Sequence, residues 1–138
     1  MQIKTTTRGV DWKALCAVFE AAPLGTREPD KLRRAFERSY RVCFAYEGER
    51  MVGAARLLSD GEYYAAVYDV VVAPEWQGRG VGSKMLEQLM FGVDVGSFIL
   101  VSALGKEPFY RKHGYSKLKT GMARYRDQER ARTGGYIE

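Results

Sequence analysis

Histidine and cysteine are scarce in this chain, with one of the first and two of the second among 138 residues. Cys16 and Cys43 form no C-x-x-C pair, and His113 alone beside them completes no zinc-ligand set, so no metal is expected. Two reduced thiols in the core of a cytoplasmic protein is the simplest reading. No apolar run is long enough to span a bilayer, and residues 1–7 lack the apolar stretch of a signal peptide, so no membrane role is expected. Internal repeats and low-complexity segments are also missing. With 46% hydrophobic and 28% charged residues the chain reads as one folded domain, 1–138, with a polar, loose tail over 127–138. The net charge of +5 suits nucleic acid, an anionic membrane or a polyanionic cofactor, and equally a solvated basic surface.

Only four prolines occur, so each one punctuates. A weak strand signal covers 2–6. Asp11 is placed to cap a helix over 12–21, with Trp12, Leu15, Cys16 and Phe19 on one face. Pro23, Gly25 and Pro29 break the chain, and Pro29 opens a second helix with Leu32, Ala35, Phe36 and Tyr40 along one side. Residues 41–46 and 51–58 read as a hairpin, Asp60-Gly61 as a further turn, and 63–73 as the central strand of a meander. A helix follows from Val81 and ends near Gly92. Residues 98–101 read as a buried strand parallel to the central one, 108–113 as a short helix stopped by Gly114, and 115–118 and 122–125 as closing strands.

Asp69-Val70-Val71-Val72-Ala73-Pro74-Glu75-Trp76-Gln77-Gly78-Arg79-Gly80-Val81-Gly82-Ser83 is the stretch around which the chain is organised. It is a β-branched strand ended by Pro74, then a glycine-rich loop entering a helix, which leaves backbone N–H groups beside a positive helix N-terminus. A Walker loop fails, because Ser83 stands where the second glycine belongs. A dinucleotide fingerprint fails at the same residue, and no acidic residue closes the run 97–103. A glycine-rich turn without a ligand is the plain alternative. Gln77-x-x-Gly80-x-Gly82 after such a strand resembles the pyrophosphate loop of the GNAT superfamily of acetyl-CoA-dependent N-acetyltransferases. Phe109-Tyr110-Arg111-Lys112-His113-Gly114-Tyr115 resembles a second GNAT segment, in the expected order and at a plausible separation.

The resemblance implies an α/β (α+β) fold: a mixed, mostly antiparallel sheet, splayed at a central parallel pair and flanked by about four helices. It implies that acetyl-CoA lies in the splay. Val70, Val71 and Val72 would supply the strand beside the pantetheine, an N–H near Val70 would polarise the thioester carbonyl, and Gly78, Gly80, Val81, Gly82 and Ser83 would hold the pyrophosphate, with Gln77 and Arg79 flanking it. Tyr110 matches the family's usual general acid, which protonates the departing coenzyme A thiolate. Many members carry an Asn after the parallel strand; Val101-Ser102-Ala103-Leu104-Gly105 has none, so that contact is not carried over. From the residues themselves, Asp69 ranks first as the base for the acceptor amine, with Glu62 as a second carboxylate able to act through water. Glu62, Tyr63, Tyr64 and Tyr68 are placed to line an acceptor pocket.

Pro29-Asp30-Lys31-Leu32-Arg33-Arg34-Ala35, Val52-Gly53, Ala55-Arg56, Ser59-Asp60-Gly61 and Asp69 to Val72 resemble the plastid-type serotonin N-acetyltransferases and their bacterial relatives. That implies a small arylalkylamine acceptor. Protein lysines or N-termini, polyamines and aminoglycosides stay open, as do a non-catalytic acetyl-CoA-binding domain and a nucleic-acid-binding module on the same fold. A nucleic acid partner is disfavoured, since it needs no such loop. Homodimers are common in the family, and edge strands offer a route to one.

Overall fold

The computed structural model describes all residues, 1–138. The chain divides into two compact units, residues 1–100 and residues 101–138.

The first unit is a five-stranded sheet in the order β1-β2-β3-β4-β5, made of Gln2–Lys4, Arg41–Glu47, Arg50–Ser59, Tyr64–Val72 and Ser97–Ile99. The first four strands run antiparallel to their neighbours, and β5 runs parallel to β4. Helix α1, Trp12–Ala21, starts where the Asp11 carboxylate accepts the Ala14 N–H at 3.1 Å. Helix α2, Pro29–Glu37, is capped by Glu28, which accepts from Asp30 and Lys31 N–H, with Pro29 in the first turn where no N–H is missed. Helix α3 spans Val81–Met90.

Neighbouring residues on a strand point to opposite faces, which fixes the layers. The Cys43 thiol donates to the Met85 carbonyl of α3, and a Cβ on Gly53 would stand 3.0 Å from the Met85 methyl. The adjacent Phe44 instead meets Trp12 of α1 and Phe36 of α2, with centroids 5.9 and 5.3 Å away. One face of the sheet is therefore covered by α3 and the other by α1 and α2. Phe19, Phe36, Phe44, Leu57, Met85 and Leu86 are among the fully buried side chains. Both cysteines are unpaired and buried, and burial pushes the Cys43 thiol up to about 12, so it is a core group with little nucleophilic character.

Several expectations need correcting. The run at 98–101 is not a buried strand: β5 ends at Ile99, which is 48% exposed, and Val101 is 61% exposed. It pairs with β4 over three residues only, at the end of the sheet, which leaves its apolar side chains half uncovered. No strand forms at 115–118 or 122–125. Leu118 and Met122 are 59% and 97% exposed, so neither segment gains the buried face that would reward pairing. The second unit contains helix α4, Glu107–Arg111, and helix α5, Gln128–Thr133. Helix α5 lies in the stretch read as a loose tail; Asp127 caps it by accepting the Arg130 N–H at 2.9 Å, and Ala131 is buried. Five α-helices occur in all, one more than expected.

Candidate active site

The end of β4 is an open edge. Strand β5 pairs with Tyr64, Ala65 and Ala66 and goes no further, while β4 runs on to Val72. The Ala73 N–H donates to the Val52 carbonyl at 2.8 Å, so Ala73 faces β3. By alternation, Val72 turns its N–H and carbonyl to the side that β5 has left. Val71 is different: it is fully buried, and its backbone faces Ala54 on β3, so it supports the edge from behind.

The strand is not regular at its middle. The register passes from Ala54 opposite Val71 to Arg56 opposite Tyr68, so Asp69 and Val70 together face the single residue Ala55. This is a β-bulge, and Asp69 is the one non-glycine residue with positive φ, 57°. The regular alternation expected of Tyr68, Asp69 and Val70 therefore breaks at Asp69. Aspartate is among the few residues that enter this region at modest cost.

After β4 a single turn of 3-10 helix, Pro74–Trp76, reverses the chain. The Gln77 side-chain amide folds back and donates to the Val72 carbonyl at 3.0 Å, pinning the loop to the strand end. The Arg79 guanidinium lies 4.7 Å from the Trp76 ring centroid. Gly78 and Gly80 have φ of 77° and 82°, and an added Cβ at either would meet nothing within 4 Å, so open space lies over both. Gly80 is the N-cap of α3 and offers no side chain to the helix. The first N–H groups of α3, from Val81 and Gly82, have no intrahelical acceptor and lie at the positive end of the helix dipole. Such an arrangement is suited to an anion.

Asp69 carries the densest charge contact in the unit. One carboxylate oxygen accepts from Arg27 at 2.9 Å and the other from Arg56 at 2.6 Å, with the Asp69 side chain only 10% exposed. Burial alone would push this carboxyl up, but the hydrogen bonds and charges of Arg27 and Arg56 outweigh it and hold the group below the ordinary aspartate value. A carboxylate so engaged is a poor proton acceptor. The structure gives Asp69 the role of an ion-pair centre in place of the general base read from the sequence.

The sign of the pH effect follows. A depressed folded value means that the carboxylate stabilises the fold above the unfolded value of about 3.9. That contribution is lost as pH falls through the lower folded value. We expect Asp69→Asn to cost about 2–3 kcal/mol at pH 7, less than a fully buried pair because Arg27 is part-exposed. In urea unfolding the gap to the wild type should narrow from pH 7 to an acid pH below the unfolded value of about 3.9, as the native carboxyl protonates. An equal gap at both pH values would remove the charge from the account.

The other proposed pocket residues lie N-terminal to the bulge. The Asp60 carboxylate accepts the N–H groups of Glu62, Tyr63 and Tyr64, making a tight turn that starts β4. Glu62 is exposed. Tyr64 and Tyr68 share a strand face and are 69% and 44% exposed, with the Arg56 guanidinium 5.7 Å from the Tyr68 ring centroid. A shallow cleft of about 500 Å³ passes Tyr64, bounded by Leu58, Ala66, Ser97 and Ile99. Sequence reading missed Arg27 and Arg56. Neither lies near Asp69 in the chain, and an arginine in a loop or on a strand carries no local sign of its partner.

In the second unit, Tyr110 lies on α4, packed edge-on against Phe109 at 4.9 Å and Tyr115 at 5.9 Å between centroids. Burial raises the Tyr110 phenol above its ordinary value. Burial, and then the nearness of Tyr110, push Tyr115 up to about 12. Both phenols stay protonated at neutral pH. Gly114, with φ of 88°, ends the segment as expected.

Residues 38–117 match the acetyltransferase (GNAT) domain family. The chain belongs to the GNAT acetyltransferases. This GNAT domain is 34% identical over 138 residues to serotonin N-acetyltransferase 2, chloroplastic, of Oryza sativa subsp. japonica, covering 92% of the chain and 68% of that protein. It is 30% identical over 126 residues to histone acetyltransferase TAP1 of Glycine max, covering 81% of the chain and 53% of that protein. Its fold matches a GNAT family acetyltransferase from Streptococcus pneumoniae with a TM-score of 0.75 at 22% identity, over 91% of this chain and 98% of the other. The domain is an acetyl-CoA-dependent N-acetyltransferase.

Proposed function

We propose that the domain transfers acetyl from acetyl-CoA directly to a small primary amine with an aromatic or alkyl body. The observation that carries this reading is the open, bulged edge of β4, with two exposed tyrosines on one side of the bulge and the Val72 edge on the other. The Val72 N–H can pair with an amide of an extended ligand as a further strand would, while Gln77 holds the Val72 carbonyl. The glycine loop and the N-terminus of α3 hold its phosphates. Tyr64 and Tyr68 offer ring faces to an aromatic or cationic amine.

In the reaction the free amine attacks the thioester carbonyl, a C–N bond forms, and the C–S bond breaks. The thiolate leaves with a proton that we assign to the Tyr110 phenol, and the proton shed by the attacking nitrogen as the amide forms passes through water and restores that phenol. With Asp69 held as an anion by two arginines, the amine enters as its free base.

Charge supports a small acceptor over a polycationic one. Residues 101–138 carry nine basic and four acidic side chains, and residues 1–100 carry thirteen of each. A chain of net +5 repels polyamines, aminoglycosides and lysine-rich peptides at long range. The test is coenzyme A release from acetyl-CoA with serotonin, tyramine, tryptamine, spermidine, an aminoglycoside and a lysine peptide. Release with the arylalkylamines is expected. Release with the lysine peptide or spermidine alone would overturn the acceptor assignment and leave acetyl transfer in place.

A further inference from the structure

Asp69 sits at the joint of β4. Tyr64 and Tyr68, the proposed acceptor wall, precede it, and the Val72 edge, the proposed donor site, follows it. Its φ of 57° makes the bulge, so its backbone sets how the two halves of the strand are turned relative to each other. Arg56 spans the joint: its Nε donates to Asp69 at 2.6 Å while its guanidinium lies 5.7 Å from the Tyr68 ring. Arg56 Nη1 also reaches Ser39 Oγ at 3.5 Å, beyond the end of α2.

Arg27 comes from elsewhere. It belongs to the connection between α1 and α2, residues 22–28, in which Pro23, Leu24, Gly25 and Thr26 are exposed. Its guanidinium stacks 4.3 Å from the Phe19 ring centroid and donates to Asp69 across 42 residues of sequence. An otherwise exposed loop is thus tied by one charge-assisted hydrogen bond to the joint of the site strand.

We infer that Asp69 is a positioning residue, which through Arg27 and Arg56 locks the 22–28 connection and the Tyr68 ring onto the bulge and so orders the acceptor side of the transfer site. The inference rests on the acceptor reading above. It predicts that loosening the tether harms amine recognition and spares the acetyl-CoA loop, which Asp69 does not touch.

The experiment uses Arg27→Gln and Arg27→Lys in the full chain. Arg27 is part-exposed, and Arg56 still neutralises Asp69 in both variants, so folding is preserved. We expect Arg27→Gln to raise KM for the accepted amine about tenfold, the loss of one charge-assisted hydrogen bond. The acetyl-CoA Kd should change less than about twofold, a difference too small for a lost contact. Amide hydrogen exchange should speed up in 22–28 and stay unchanged in α3. Arg27→Lys, which keeps the charge, should restore part of the amine KM. Unchanged exchange in 22–28 would overturn the tether, and an unchanged amine KM with faster exchange would reduce it to a structural contact. If the wild type releases coenzyme A with no amine, the acceptor reading fails instead, and the exchange measurement alone then decides the tether.

Discussion

Gly80→Asp is expected to abolish acetyl-CoA binding while leaving the domain folded. Gly80 has φ of 82° and ψ of 7°, and it caps α3 without a side chain of its own. A Cβ there meets nothing within 4 Å, so crowding is not the issue in the free protein. Backbone strain is modest as well, because aspartate enters the left-handed region more readily than most residues, as Asp69 does in this chain. The damage is electrostatic. A carboxylate at this point competes for the N–H groups of Val81 and Gly82 that a phosphate would use. It also places like charge about 4 Å from the diphosphate, worth about 4 kcal/mol at an effective dielectric of 20. That corresponds to roughly a thousandfold in Kd. Calorimetry with acetyl-CoA should show no measurable binding, and Tm should fall by no more than a few degrees, since the acidic charge at the helix N-terminus offsets part of the left-handed strain. Gly80→Ala separates strain from charge: it should cost about 1 kcal/mol of stability and weaken binding far less. Normal acetyl-CoA affinity in Gly80→Asp would show that the phosphates lie elsewhere.

The parts of this site legible in the sequence are those that local chemistry determines. Pro74 and the glycines at 78 and 80 set the end of β4 and the entry to α3, and the structure places both there. Asp11 and Pro29 announced α1 and α2 for the same reason, since a cap and an N1 proline act within one turn. Asp127 gave an equally local signal for α5, with Glu129 in its first turn and arginines in its last, but the polar composition of the tail masked it. What stayed hidden was non-local. Nothing in Tyr68-Asp69-Val70 announces a bulge, because the bulge is held by Arg27 and Arg56, which arrive from 42 and 13 residues away. The role of Asp69 changed with it, from an available base to an ion-pair centre. Strand β5 was overread for the related reason that an apolar run reports hydrophobicity and says nothing of how many residues find a partner.

Tyr110→Phe is expected to lower kcat about 10²-fold or more, the usual range for removing a general acid. The substitution keeps the ring that packs against Phe109 and Tyr115, so α4 and its surroundings should hold, and Tm should move by no more than a degree or two for so small a change in burial. The acetyl-CoA Kd should also hold, because the groups we propose for the phosphates belong to the loop and α3. The pH profile makes the assignment specific. Burial raises the Tyr110 phenol above its ordinary value near 10, so it is fully protonated at neutral pH and supplies a proton without first acquiring one. In the wild type, kcat should fall only on the alkaline side, as pH rises through that raised value. In Tyr110→Phe that alkaline limb should vanish along with most of the rate. Tyr115→Phe serves as the comparator, because Tyr115 is pushed up to about 12 and stays protonated over the same range, yet it lies outside the proposed step. Loss of rate in Tyr115→Phe with full turnover in Tyr110→Phe would transfer the acid role to the neighbouring ring. Loss in Tyr110→Phe alone, with the alkaline limb gone, leaves no other phenol of the pair to deliver the proton.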